Sequence, residues 1–157
     1  KADDARDFGE LQYLKSGADD GLDTSPDLML VDMVHALRAS LRQGACWLMN
    51  SRTLADIRKL KTADGAFIWQ PGLSDGQPDR LLGYPVIEAE DMPDIDLGEY
   101  PIAFGNFQAG YLITERNATS ILRDPFTNKP FVHFYATKRV GGQVLDTNAI
   151  KLLRIEA

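Results

Sequence analysis

Ala45-Cys46-Trp47-Leu48-Met49-Asn50-Ser51-Arg52-Thr53-Leu54-Ala55-Asp56-Ile57-Arg58 is the stretch on which the fold turns. Its opening residues, Ala45 to Met49, form a continuous apolar run of strand length, the pattern of a strand covered on both faces. Asn50 or Ser51 then caps a helix whose buried stripe is Leu54, Ile57 and Leu60, with Arg58, Lys59 and Lys61 as its basic last turn. Upstream, Ser25 suits an N-cap, Pro26 the first helical position and Asp27 the positive end of the macrodipole. Leu30, Val34, Leu37 and Leu41 recur at helical spacing, Arg38 and Arg42 lie near the carboxyl end, and Gly44 closes the helix. The order is therefore helix, buried strand, helix.

Working outward, residues 1–24 are polar and rich in Asp and Gly, with one short strand expected around Leu11-Gln12-Tyr13-Leu14. Asp64-Gly65 marks a turn before the short apolar piece Phe67-Ile68-Trp69. Residues 70–80 hold Pro71, Gly72, Gly76 and Pro78 and read as a long loop. Later signals are mostly strand: Tyr84 to Glu88, Ile102 to Phe104, Tyr111 to Thr114, Ser120 to Arg123 and Phe131 to Thr137. Asp124-Pro125 and Gly141-Gly142 are read as breaks, and Ala149 to Ile155 as the last strand. Helices early and strands late give an α+β domain.

The 157 residues carry 17 Lys plus Arg against 23 Asp plus Glu, a formal net charge of −6. That balance argues against a dedicated nucleic-acid binder, whose affinity comes largely from Lys and Arg on phosphate. Cys46 is the single cysteine, which excludes an intrachain disulfide and a cysteine-based zinc site and makes a reducing compartment the simplest expectation. No apolar run approaches the roughly 20 residues a membrane span needs, and the charged first residues show no signal-peptide pattern. With no initiator Met, the chain is expected to be a portion of a longer protein.

No catalytic, cofactor-binding or metal-binding residue is assigned. His35 falls off the apolar face of its helix, and His133 sits between aromatic neighbours in a strand, so both read as structural histidines. Cys46 lies in an apolar run without the electropositive setting a reactive thiolate needs. Glu88, Glu90, Asp91, Asp94 and Asp96 form an acidic stretch, but Pro93 interrupts it and its spacing is not that of a calcium loop, so a solvated loop is expected. Asn117-Ala118-Thr119 fits a glycosylation sequon without a secretory signal, Lys138-Arg139 is too short for a phosphate patch, and Val140-Gly141-Gly142 reads as a turn.

Several stretches, in order, resemble the major capsid proteins of tailed bacteriophages, the Hong Kong 97 fold family. They include Trp47-Leu48-Met49-Asn50, Thr53 to Leu60, Trp69-Gln70-Pro71-Gly72 and Leu81-Leu82-Gly83-Tyr84-Pro85-Val86. Asp91-Met92-Pro93, Ile102 to Phe107, Gly110-Tyr111, Leu122 to Phe126 and Phe134 to Gly142 continue the series, which covers residues 45–155. The chain looks closest to capsids of siphophages, prophages and gene transfer agents.

The resemblance implies a Hong Kong 97-type fold: an axial-domain mixed sheet flanked by helices, plus strands of a peripheral domain. Residues 1–116 would be most of the axial domain, 117–142 strands extending to the peripheral domain, and 143–157 the return strand. A spine helix, an extended loop and an amino-terminal arm are expected upstream of Lys1. The implied role is that of a structural subunit, not an enzyme, forming pentamers and hexamers of an icosahedral shell around double-stranded DNA. Implied partners are copies of itself, portal and scaffold proteins, and DNA held without sequence-specific binding, with no membrane. The implied location is the virion capsid, assembled in the bacterial cytoplasm. Some members form a Lys–Asn isopeptide cross-link; Asn128 lies in the acceptor region, but no cross-linking residue is carried over. An encapsulin-like compartment shell is the first alternative, and a small α+β enzyme the second. The 70–80 loop is expected near the capsomer axis, and exposed edges of the late strands at peripheral contacts.

Overall fold

A computed structural model describes residues 9–19, 21–22, 26–60 and 80–157. The Ser25 cap, Phe67-Ile68-Trp69 and residues 70–79 of the expected loop lie outside the described residues. In chain order the elements are β1 (Gln12–Lys15), α1 (Pro26–Ala36), α2 (Ala39–Arg42), β2 (Cys46–Met49) and α3 (Ser51–Arg58). They continue with β3 (Arg80–Leu81), β4 (Tyr84–Glu88), β5 (Ile102–Gly105), α4 (Phe107–Gly110) and β6 (Tyr111–Glu115). The chain ends with β7 (Ser120–Asp124), β8 (His133–Thr137), β9 (Val140–Val144) and β10 (Ile150–Arg154).

A six-stranded sheet runs β1-β10-β5-β2-β4-β3. It is mixed, because β1 lies parallel to β10 and β2 parallel to β4, while β5 runs antiparallel to both β10 and β2. Paired residues share a face, so register decides the core. Trp47 is paired with Phe104, and Met49 and Leu153 are each paired with Ile102; all five are fully enclosed. The Trp47 and Phe104 rings lie 4.3 Å apart, and Tyr84 meets Phe104 edge-on at 5.1 Å. Burying each such side chain stabilises the fold by about 1.5–3 kcal/mol. The indole of Trp47 would lose a water partner on burial; it donates instead to the Leu81 carbonyl at 3.0 Å, which ties β3 to the core.

Helices cover this face. Leu30, Val34 and Leu37 are buried as their spacing predicts, joined by Met29 and Met33. The expected single helix to Leu41 is instead broken into α1 and α2, with Arg38 extended at ψ 142°. The reason is Arg42, which donates from Nε to the Leu37 carbonyl at 2.8 Å and from Nη2 to the His35 carbonyl at 3.2 Å. Its guanidinium thus satisfies carbonyls at the end of α1 that a continuing helix would have used.

Asn50 is the cap of α3, accepting from the Thr53 amide at 2.7 Å, and Leu54 and Ile57 point inward as expected. β2 is fully enclosed on one face only. Trp47 and Met49 are buried, whereas Cys46 and Leu48 on the other face keep partial exposure. Burial still pushes the Cys46 thiol up, which favours the neutral, unreactive form. Gly105 permits the close approach of β5 to the chain entering β10; a Cβ there would sit 2.2 Å from the Ala149 carbonyl oxygen.

Candidate functional site: the projecting double ribbon

After β5 the chain leaves the sheet. Asn106 caps the single turn α4 by accepting from the Ala109 amide at 3.1 Å, and its own amide donates to the Gln43 carbonyl at 3.0 Å. The Leu145 amide closes the root by donating to the Gly110 carbonyl at 2.8 Å. Between these points lie two antiparallel ribbons in series, β6 with β9 and then β7 with β8.

Their side chains are of core type but lack a core. The pairing puts Tyr111, Ile113 and Val140 on one face of the first ribbon and Leu112 on the other. In the second ribbon, Leu122 and Tyr135 lie on one face, and Ile121 and Phe134 on the other. Ile113 is 66% exposed, Ile121 67%, Leu122 64% and Phe134 66%, with Phe126 at the tip 79% exposed. A two-stranded ribbon is at best marginally stable by itself in water. Apolar exposure on both faces is the property of a surface completed by contact with something else.

Gly141-Gly142 does not break the chain here but lies inside β9. Tyr111 explains Gly142: a Cβ at that position would stand 2.5 Å from the tyrosine hydroxyl, so the ring lies directly over the glycine. At the tip, Asp124 organises the turn after β7. Its Oδ1 accepts from the Phe126 amide at 2.9 Å and the Thr127 amide at 3.2 Å, and its Oδ2 accepts from the Thr127 hydroxyl. These bonds, the Thr127 hydroxyl first, hold the Asp124 carboxyl below the usual aspartate range. His133 stacks on Tyr135 with ring centroids 6.2 Å apart. Its Nε2 is enclosed without a hydrogen-bond partner among the described residues.

The ribbons are also basic within an acidic chain. Residues 111–144 contain Arg116, Arg123, Lys129, Lys138 and Arg139 against Glu115 and Asp124. Lys138 pairs with Glu115 at 2.7 Å. Lys138-Arg139 and Asn117 thus belong to the joint between the ribbons, where Arg116 joins them.

The other sequence candidates lie apart from this feature. His35 is exposed on α1. Glu88, Glu90, Asp91, Asp94 and Asp96 line the end of β4 and the loop that follows it. Asn50 holds that loop by donating to the Met92 and Pro93 carbonyls and to the Asp94 carboxylate, which also pairs with Arg52 at 2.7 Å. Among the described residues, no group of three or more His, Cys, Asp and Glu side chains converges as a metal site would require. No helix of the described residues is long and apolar enough to cross a membrane.

This architecture has close counterparts. The chain is 49% identical to a chain described as the capsid of the native GTA particle computed with C5 symmetry, with a TM-score of 0.87, covering 100% of this chain and 53% of that one. The capsid of the empty GTA particle, also computed with C5 symmetry, matches at 49% identity and a TM-score of 0.86, covering 100% of this chain and 54% of that one. A chain from Gordonia phage Cozz shares the fold at 16% identity and a TM-score of 0.55, over 94% of this chain and 49% of that one. The chain therefore spans about half the length of the capsid chains it matches. No curated protein sequence matches it. The description of the phage capsid family fits residues 7–155, nearly the whole of the sequence, and the chain belongs to the phage capsid family.

Proposed function

We propose that this chain is part of a major capsid protein, a structural subunit with no catalytic role, whose copies form the pentamers and hexamers of an icosahedral shell. The observation that carries this reading is the double ribbon, which exposes Ile113, Ile121, Leu122 and Phe134 over both faces. A surface of that kind is unfavourable in this chain alone and favourable once further polypeptide covers it. Family membership and the likeness to GTA capsids support the same reading.

In this account the six-stranded sheet with α1 and α3 is the axial domain. Residues 117–142 extend towards a peripheral domain, and the segment from residue 143 brings the chain back. The shell encloses double-stranded DNA without reading its sequence, in keeping with a net charge of −6. Portal and scaffold proteins are its further partners, and the virion capsid, assembled in the bacterial cytoplasm, its location.

Electron microscopy of the product of the full coding sequence tests the reading, with and without scaffold. Closed shells built of rings are expected. Soluble monomers under every condition would overturn it.

A further inference from the structure

Two arginines face each other across the joint of the ribbons. The Arg116 amide donates to the Arg139 carbonyl at 3.2 Å, which sets the two residues opposite one another, one step beyond the Glu115–Val140 pair. Alternation along the strands puts both on the face of Thr114 and Gly141, away from the apolar face of Tyr111, Ile113 and Val140. Arg116, Arg139, Thr114 and Gly141 line an open groove of about 390 Å³. No atom lies within 4 Å of the place a Gly141 Cβ would occupy, so its floor is open. An adjoining hollow of about 300 Å³ shares Arg139 and adds Asn117, Ser120 and Thr137.

Like charges placed directly opposite on a ribbon repel, so this pair is unfavourable until an anion bridges it. The ribbons supply none. Neither guanidinium is in an ion pair among the described residues. Residues 111–144 hold two carboxylates, and both are engaged elsewhere. Glu115 belongs to the opposite face and pairs with Lys138 at 2.7 Å, while Asp124 holds the turn at the tip.

We propose that this face binds phosphate groups, with a phosphate bridging the Arg116 and Arg139 guanidiniums over Gly141 and accepting from the Thr114 hydroxyl. Arg, Ser, Thr and Asn are the side chains that contact phosphate oxygens, and the guanidinium fork matches phosphate geometry. A protein partner is anchored by apolar or aromatic groups, and the pairs Thr114–Gly141, Arg116–Arg139 and Ser120–Thr137 offer none. For the same reason the contact holds a nucleic-acid backbone without regard to sequence. The site goes beyond the capsid reading, which assigns no phosphate contact. Duplex DNA as the source of the phosphate rests on that reading; free phosphate does not.

The test uses subunits of the full coding sequence and two probes. A labelled DNA duplex is followed by fluorescence anisotropy across a salt series, and inorganic phosphate by phosphorus NMR. Arg116→Ala with Arg139→Ala is expected to weaken duplex binding roughly tenfold or more at low salt. The slope of log affinity against log salt should fall by about one to two. Arg116→Lys with Arg139→Lys keeps the charge and therefore the slope, but loses the forked geometry and weakens binding by about threefold. Arg123→Ala with Lys129→Ala removes equal charge outside the site and leaves the slope at its parental value. Circular dichroism and the denaturation midpoint stay near parental values, because every altered side chain is exposed.

Loss on the duplex arm, with or without loss on the inorganic phosphate arm, marks a backbone contact. Loss with inorganic phosphate alone marks a free-phosphate site, and either result upholds the proposal. Parental values on both arms overturn it, as does a parent that binds neither probe. An equal loss by the Arg123–Lys129 variant overturns it by reducing the effect to net charge. Reduced shell assembly with both arms at parental values overturns it in favour of an acidic polypeptide. The capsid reading fails separately, by the absence of shells from the parent.

Discussion

In the sheet, Trp47, Met49, Ile102, Phe104 and Leu153 are fully enclosed, whereas in the double ribbon Ile113, Ile121 and Phe134 stand about two-thirds exposed. The residue types are alike, and both regions are strands with paired backbones. What differs is the layer above them. The sheet is covered on one face by α1 and α3, while among the described residues no helix lies over the ribbons, which expose both faces. Apolar sequence therefore meets two fates in one chain: the chain's own helices cover it in the sheet, and in the ribbons it is left for further polypeptide to cover.

Substitutions can break this contrast in measurable ways. The largest effect is expected at the Trp47–Phe104 contact. Phe104→Ala should cost about 3–5 kcal/mol in chemical denaturation. Phe134→Ala should change subunit stability by less than about 0.5 kcal/mol yet reduce assembly. An equal stability loss at the two sites would erase the distinction. Gly105→Ala comes next, because its Cβ meets rigid backbone at Ala149 and Ile150; a loss of about 1–3 kcal/mol is expected. Gly141→Ala, with open space around it, should be close to neutral in the same measurement.

Asn50→Ala removes the α3 cap and the anchor of the acidic loop together, at a cost of about 1–2 kcal/mol. The smallest effect is at the ribbon tip. The Asp124 carboxyl is held below its ordinary range, so its contribution is present above the unfolded-state pKa and is lost as pH falls through the folded one. The protection of the Phe126 and Thr127 amides relative to their intrinsic exchange rates should fall on acidification through that window, and Asp124→Asn should abolish this pH-dependent change in protection.

Much of the sheet was legible from residue pattern. The spacing of Leu30, Val34 and Leu37, the Asn50 cap and the β2 run all describe local geometry that tertiary structure then uses. The break after α1 was not legible, because it depends on where the Arg42 guanidinium lands rather than on local propensity. Nor was β9, since Gly141-Gly142 signals a turn until Tyr111 is seen lying over Gly142. The functional surface was the least legible feature. A run such as Phe134-Tyr135 shows a side chain's affinity for burial but not whether its cover comes from the same chain or another. The groove residues Arg116 and Arg139 gave only a weak signal, a basic segment within an acidic chain.

Hydrogen–deuterium exchange on free subunits and assembled shells separates a double ribbon completed by assembly from a sheet covered by its own helices. Amides of Tyr111–Val144 should exchange quickly in the free subunit and slow by roughly a hundredfold or more on assembly, while those of Cys46–Met49 and Ile102–Gly105 remain protected in both. Equal protection of the ribbons in the free and assembled states would contradict the account.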